Sequence, residues 1–261
     1  MSAPAVNPAQ NAAAFSPERD DVFGRIATRY DVLCDLFSFG IHRLWKRAVA
    51  REISAQPWEI LLDGATGTGD IMLRVLADEK ACARSIVASD ISPQMLAIAR
   101  QRLGSHQDRV RFEILDMEGM PSISSDSVDA YSVSLGLKIC DRRKALDEAL
   151  RILKPGGRLI ILEASNIPFR AVHRLYLGYM NLCMPALGWF ATGGDSSAYR
   201  YLLDGVSGFP SAEILAAEMR EHGFTNVHHR RLSLGIVAIH VAEKPHVARA
   251  AQQPHATIGS R

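Results

Sequence analysis

Ile60-Leu61-Leu62-Asp63-Gly64-Ala65-Thr66-Gly67-Thr68-Gly69-Asp70 is the stretch that decides the fold. A short apolar run delivers the backbone into a glycine-rich turn. Ile71, Met72, Val75 and Leu76 then recur at helical spacing. Glycines in such a turn give the main chain positive φ and let it approach a ligand closely. The helix that follows presents its unpaired first N–H groups at the same spot. This is the first βα turn of a nucleotide-binding domain, and Asp63, Gly64, Gly67, Thr68 and Gly69 are its candidate cofactor residues.

Outward from the turn, strand-like and helix-like segments alternate. Strands are expected at 60–63, 85–90, 109–115, 128–135 and 158–163. Helices are expected at 70–77, from the N-cap Ser92 with Pro93 at its first position, and at 142–153. Lys154-Pro155-Gly156-Gly157 reads as the stop of that last helix. Residues 22–53 read as helices broken at Ser38-Phe39-Gly40. A helix at 212–222 and β-like runs at 227–233 and 235–241 close the chain, the last pair as a hairpin with an antiparallel final strand. The pattern predicts an α/β fold with a Rossmann-like doubly wound sheet, mostly parallel.

Composition narrows the class. The chain has 261 residues, 48% hydrophobic and 22% charged, enough for one sizeable core. A net charge of +2 gives no electrostatic case for nucleic acid. Cys34, Cys82, Cys140 and Cys183 form no Cys-x-x-Cys pair and fit a reducing compartment, and the histidines lack ligand spacing, so no metal is expected. Residues 1–17 carry neither a basic nor an apolar signal region and are expected to be a disordered leader. Residues 18–243 form a single domain with a lid insertion at about 167–205, and 244–261 read as a disordered polar tail. The apolar run 175–191 falls short of the roughly 20 residues of a membrane span. It reads as a buried lid helix; the alternative is a surface that covers a greasy substrate or touches a bilayer.

Two ligands compete for the glycine turn. A dinucleotide fingerprint asks for a third small residue, where this chain has Met72, and Asp70 puts a carboxylate where a pyrophosphate needs room. S-adenosylmethionine has no phosphate and carries a sulfonium and an ammonium, which suit the carboxylates Asp63 and Asp70. Asp90, with Ile91 beside it, ends the next strand and can accept from both hydroxyls of a ribose. That acid serves either ligand.

Three further stretches carry a family resemblance. The first is Val22-Phe23, Ala27, Tyr30-Asp31 and the run from Asp35 through Ser38-Phe39-Gly40-Ile41-His42-Arg43-Leu44-Trp45-Lys46-Arg47. The others are Leu153-Lys154-Pro155-Gly156-Gly157-Arg158-Leu159 and Tyr199-Arg200-Tyr201-Leu202. Together with the ending Gly235-Ile236-Val237-Ala238-Ile239-His240, they resemble the UbiE/MenG family of S-adenosylmethionine-dependent C-methyltransferases, over about residues 20–243. The glycine turn and Lys-Pro-Gly-Gly are common to many methyltransferases, whereas the run from Ser38 to Arg47 is far more specific. The resemblance implies a class I methyltransferase fold with N-terminal helices and a helical lid, S-adenosylmethionine as cofactor, and a polyprenyl quinol as methyl acceptor. It places cofactor contacts at Thr68, Asp90, Asp116 with Met117, and Ser134, and a segment closing over the cofactor around Tyr30. It also implies a cytoplasmic protein with peripheral contact at the inner membrane face, and admits a homodimer.

Departures from the family's pattern concentrate beyond the cofactor site. The loop Leu135-Gly136-Leu137-Lys138-Ile139-Cys140 has lysine and isoleucine where the family has arginine and asparagine, and Gly64 replaces an aliphatic residue. Lysine keeps the charge but not the planar donor fork. C-methylation of a phenol needs a cation or base at the ring oxygen, so Lys138 is the first catalytic candidate, with Tyr30. Glu163, His173 and Tyr201 are candidate substrate contacts. A methyltransferase on another acceptor, another S-adenosylmethionine-using enzyme, and a non-catalytic scaffold are the alternatives.

Overall fold

The computed structural model describes Ala27 and residues 30–78, 85–192, 205–206 and 208–246. Within them α1 (Tyr30–Ser38) and α2 (His42–Ser54) precede β1 (Ile60–Asp63) and α3 (Asp70–Leu76). Then come β2 (Ser85–Asp90), α4 (Pro93–Arg102), β3 (Val110–Ile114), β4 (Val128–Ser134), α5 (Arg142–Ile152) and β5 (Leu153–Ala164). The long α6 (Arg170–Thr192), α7 (Ala212–Glu221), β6 (Thr225–Leu232) and β7 (Val237–Glu243) complete the order.

The strands form one sheet in the order β3-β2-β1-β4-β5-β7-β6. Its first five strands are parallel, and β7 runs antiparallel between β5 and β6. The expected mostly parallel sheet with a terminal antiparallel hairpin is therefore present. Alternation along β5 shows how it is covered. Leu159 and Ile161 join a core cluster with Leu146, Ala149, Leu215 and Met219 of α5 and α7. Ile160 and Leu162 join the opposite cluster with Val49, Ile53, Met72, Val75 and Ala99 of α2, α3 and α4. Strands buried on both faces are what near-continuous apolar runs produce. Ser92, Asp141 and Ser211 cap α4, α5 and α7 through side-chain oxygens that accept from backbone N–H groups; each such cap contributes about 1 kcal/mol.

Two readings change. Lys154-Pro155-Gly156-Gly157 does not separate α5 from a strand beginning at Arg158, because β5 starts at Leu153. The stretch bulges out of register with β4, and Lys244 satisfies it by accepting from Gly156 N and donating to Gly157 O. The second change concerns α6, expected to be buried. Met180 is buried, yet Val172, Leu175 and Leu182 on the same helix are exposed, the last two at 76%. The surface alternative describes this part of α6 better. Residues 1–17, 22–26, 193–197 and 247–261, and Tyr201, lie outside the described residues.

Candidate active site

Strand order reverses between β1 and β4, and open α/β sheets bind ligands at such a point, beyond the carboxyl ends of the strands. A cavity lies there. Gly64, Ala65 and Gly67 from the first turn form one wall. Asp90, Ile91 and Met95 from β2 and α4 form a second, and Leu115, Asp116, Met117 and Glu118 follow β3. Ser134, Leu135, Gly136, Ile139 and Cys140 from the end of β4 and its loop close it. Of the sequence candidates, Gly64, Gly67, Asp90, Ile91, Asp116, Met117 and Ser134 are thus brought together. Met95, Leu115 and Glu118 were missed; Leu115 and Glu118 flank the candidates Asp116 and Met117, and Met95 lies in the first turn of α4.

The polar wall suits a ribose and an amino-acid moiety. Asp90 accepts from Gly67 N at 2.8 Å and from Ser92 N at 2.9 Å, and its oxygens keep lone pairs for further donors. Burial pushes its carboxyl above the ordinary range, against those two N–H donors. Ser134 Oγ is buried in the wall with no partner among the described residues, and a bound polar ligand would satisfy it. Asp116 is exposed at the rim and accepts from Glu118 N at 2.9 Å.

Of the turn candidates, Asp63, Thr68 and Gly69 do not line the cavity. Asp63 is 1% exposed and accepts from Ser132 Oγ at 2.6 Å and Thr66 Oγ1 at 2.9 Å. Burial raises its carboxyl to about 6. Gly67 and Gly69 take left-handed φ values of 55° and 82°, which turns the chain into α3. Thr68 does not line the cavity, and its Oγ1 donates to Asp31 Oδ1 at 3.0 Å.

Asp70 does not face a ligand cation. Its carboxylate meets Lys46 Nζ at 3.0 Å and Arg74 at 3.2 Å. Burial pushes its carboxyl up, but Lys46 and Arg74 outweigh that and hold it below the usual carboxylate range.

Lys138 and Glu163, chosen separately, meet. Lys138 Nζ lies 3.4 Å from Glu163 Oε1 and donates to Leu135 O, while Lys138 N donates to Glu163 Oε2 at 3.1 Å. Neither lines the cavity, although Lys138 immediately precedes Ile139 and Cys140, which do. Tyr30 opens α1, next to Asp31. His173 lies in α6, with Nδ1 buried and unpartnered among the described residues. His173 is not among the residues that line the cavity.

Comparison with known proteins identifies the architecture. The family model described as the ubiE/COQ5 methyltransferase family matches residues 13–244. The chain belongs to the ubiE/COQ5 methyltransferase family. Within this family it is 41% identical over 224 residues to the ubiquinone/menaquinone biosynthesis C-methyltransferase UbiE of Acidiphilium cryptum, covering 84% of this chain and 88% of the relative. It is 38% identical to the demethylmenaquinone methyltransferase of Clavibacter sepedonicus, covering 90% and 94%. A solved S-adenosylmethionine-dependent methyltransferase of Thermotoga maritima, titled a possible histamine N-methyltransferase, superposes with a TM-score of 0.62 at 20% identity, over 86% of this chain and 99% of the other. That likeness establishes the class I methyltransferase fold. As a ubiE/COQ5 methyltransferase, the protein uses S-adenosylmethionine. The residues fit that cofactor: Asp90 and the unpartnered Ser134 face the cavity, and Met72, 0% exposed, packs α3 on the sheet where a dinucleotide turn needs a small residue.

Proposed function

We propose that this ubiE/COQ5 methyltransferase C-methylates a polyprenyl quinol, with Lys138 holding the charge that develops on the acceptor's ring oxygen. The observation that carries this reading is the buried Lys138–Glu163 pair, whose lysine immediately precedes the cavity-lining Ile139 and Cys140. Gly67, Asp90, Asp116, Met117 and Ser134 would hold the cofactor. When bound, S-adenosylmethionine supplies an electrophilic methyl group. A ring carbon becomes nucleophilic as the adjacent hydroxyl loses its proton, and a desolvated ammonium beside that oxygen favours the loss. Glu163 accepts from Lys138 N and from Ala164 N at 2.8 Å. It therefore fixes both the lysine and the loop that carries it. The relatives' printed names, ubiquinone/menaquinone biosynthesis and demethylmenaquinone methylation, support the same acceptor class.

A lipid acceptor has to be collected from a membrane, and the surface offers apolar side chains for that. Phe39, Ile41 and Leu44 at the α1–α2 turn, Phe169 just before α6, and Val172, Leu175 and Leu182 on it are exposed. The Phe39 and Tyr179 rings, 6.3 Å apart, join the two groups. Such a patch marks an interaction surface, and no helix among the described residues is long and apolar enough to cross a membrane. We therefore assign peripheral membrane contact to this face.

Incubation of the purified protein with S-adenosylmethionine and a reduced, short-chain demethylquinol tests the reading. Mass spectrometry is expected to find one added methyl on a ring carbon. An O-methyl product, or none while S-adenosylmethionine still binds, would overturn it in favour of another acceptor.

A further inference from the structure

Gly136 sits two residues before Lys138 in the loop after β4, and the backbone does not ask for a glycine there. Its φ of −109° and ψ of −25° are open to any residue. Space explains it instead. A Cβ on Gly136 would lie 2.8 Å from Ala65 Cβ and 3.1 Å from Met117 Cε. Carbon atoms pack at roughly 3.5–4.0 Å. Gly136, Ala65 and Met117 all line the cavity. The loops that follow β1, β3 and β4 therefore close on each other at a position without a side chain.

Neither side of this contact has room to retreat. Ala65 is bracketed by Gly64 N, which donates to Ser132 O at 2.8 Å, and by Thr66 N, which donates to Ser89 O at 2.9 Å. The Tyr131 ring fills the space beside Gly64. Across the contact, Leu135 takes a left-handed φ of 58°, uncommon for leucine. Its N donates to Leu162 O at 2.8 Å, and its O accepts from Lys138 Nζ. Met117 Cε ends a flexible side chain and can yield. The Ala65 methyl is fixed to the backbone and cannot. A methyl added at position 136 thus has to displace the first turn or the loop after β4, and both are cavity wall.

We propose that Gly136 is a specificity-determining residue for the cofactor: positions 65 and 136 together have room for one methyl, and that spacing joins the first turn and the loop after β4 into one surface for S-adenosylmethionine. The inference rests on the assignment of this cavity to S-adenosylmethionine. It also ties the cofactor turn to Lys138, which the same loop anchors on Leu135 O and on Glu163.

Calorimetric titration of S-adenosylmethionine into the parent chain, G136A and the swapped A65G/G136A tests it, with thermal melts of each ligand-free protein to report folding. The Kd of G136A is expected to rise about tenfold or more. The swap moves the methyl across the contact without adding one, so its Kd returns to within about threefold of the parent's. A G136A Kd within about twofold of the parent's overturns the proposal. A swapped variant that binds as weakly as G136A, or does not fold, also overturns it, because the clash with Ala65 is then not the cause. If G136A does not fold, the swap decides by the same limits. A parent that binds no S-adenosylmethionine overturns the cavity assignment and this inference with it.

Discussion

Lys138 and Glu163 hold each other out of water: Nζ stands 3.4 Å from Oε1, with side chains 7% and 0% exposed. Removing one partner of a buried pair leaves an uncompensated charge, a loss of about 3–5 kcal/mol, whereas removing both is often nearly neutral. Lys138→Met is expected to lower the unfolding free energy, read from denaturant titration, by that amount, and K138M/E163Q to restore most of it. Turnover is expected to stay low in both, since the cation at the acceptor oxygen is missing. A double variant that regained both stability and turnover would remove Lys138 from the chemistry.

Asp63 and His240 tilt the pH profile in opposite directions. Burial raises Asp63 to about 6, against 3.8 for the free carboxyl. The folded state therefore binds the extra proton between those values, and stability falls as pH rises through the window, by up to about 3 kcal/mol. Burial lowers His240 to about 4 from 6.5. Here the unfolded chain takes the proton first, and stability falls as pH drops from 6.5 toward 4, by a similar amount of about 3 kcal/mol. Asp63→Asn removes only the first effect. Relative to the parent, D63N is expected to melt higher at pH 7.5 and to lose stability more steeply on acidification to pH 4. Parallel profiles for the two chains would show that Asp63 ionises normally in the fold.

Asp31 ties α1 to the glycine turn. Its Oδ1 accepts from Thr68 Oγ1 at 3.0 Å and its Oδ2 from Arg102 Nη1 at 2.6 Å. The carboxylate is 40% exposed, so its ion pair is modest and screened by salt. Asp31→Ala is expected to raise the S-adenosylmethionine Kd about threefold to tenfold and to speed amide exchange in α1. Thr68→Val should reproduce part of that effect, and D31A/T68V should add little to D31A alone. Independent, additive losses in calorimetry would mean that Thr68 acts on the cofactor without α1.

What the sequence discloses and what it conceals divide along contact distance. The strand ending at Asp63, the turn through Gly69 and α3 are local, and apolar period and glycine placement mark them without tertiary information. Asp90 is equally visible because it ends an apolar strand. The partners of Thr68 and Asp70 are not, since Asp31, Lys46 and Arg102 arrive from other helices. A first-turn acid looks the same whether it faces a ligand or a lysine. Gly64 and Tyr131 are likewise in close contact, which neither position discloses when taken alone. In the Lys-Pro-Gly-Gly stretch, turn chemistry masked a strand because the groups that satisfy it come from Lys244.

The altered loop after β4 yields the last prediction. Ile139 lines the cavity, and Glu163 already presents both oxygens to position 138. Arginine at 138 would exchange a point charge for a planar fork able to engage Glu163 and an acceptor oxygen together. Asparagine at 139 would add an amide to the wall. K138R/I139N is expected to raise kcat/KM on a polyprenyl demethylquinol about tenfold, the worth of one strong charge-assisted contact in the transition state. Its S-adenosylmethionine Kd should stay near the parent's, because Asp90 and Ser134 are untouched. Unchanged turnover with intact cofactor binding would move acceptor selection from this loop to α6, whose Leu175 and Leu182 lie on the exposed apolar face.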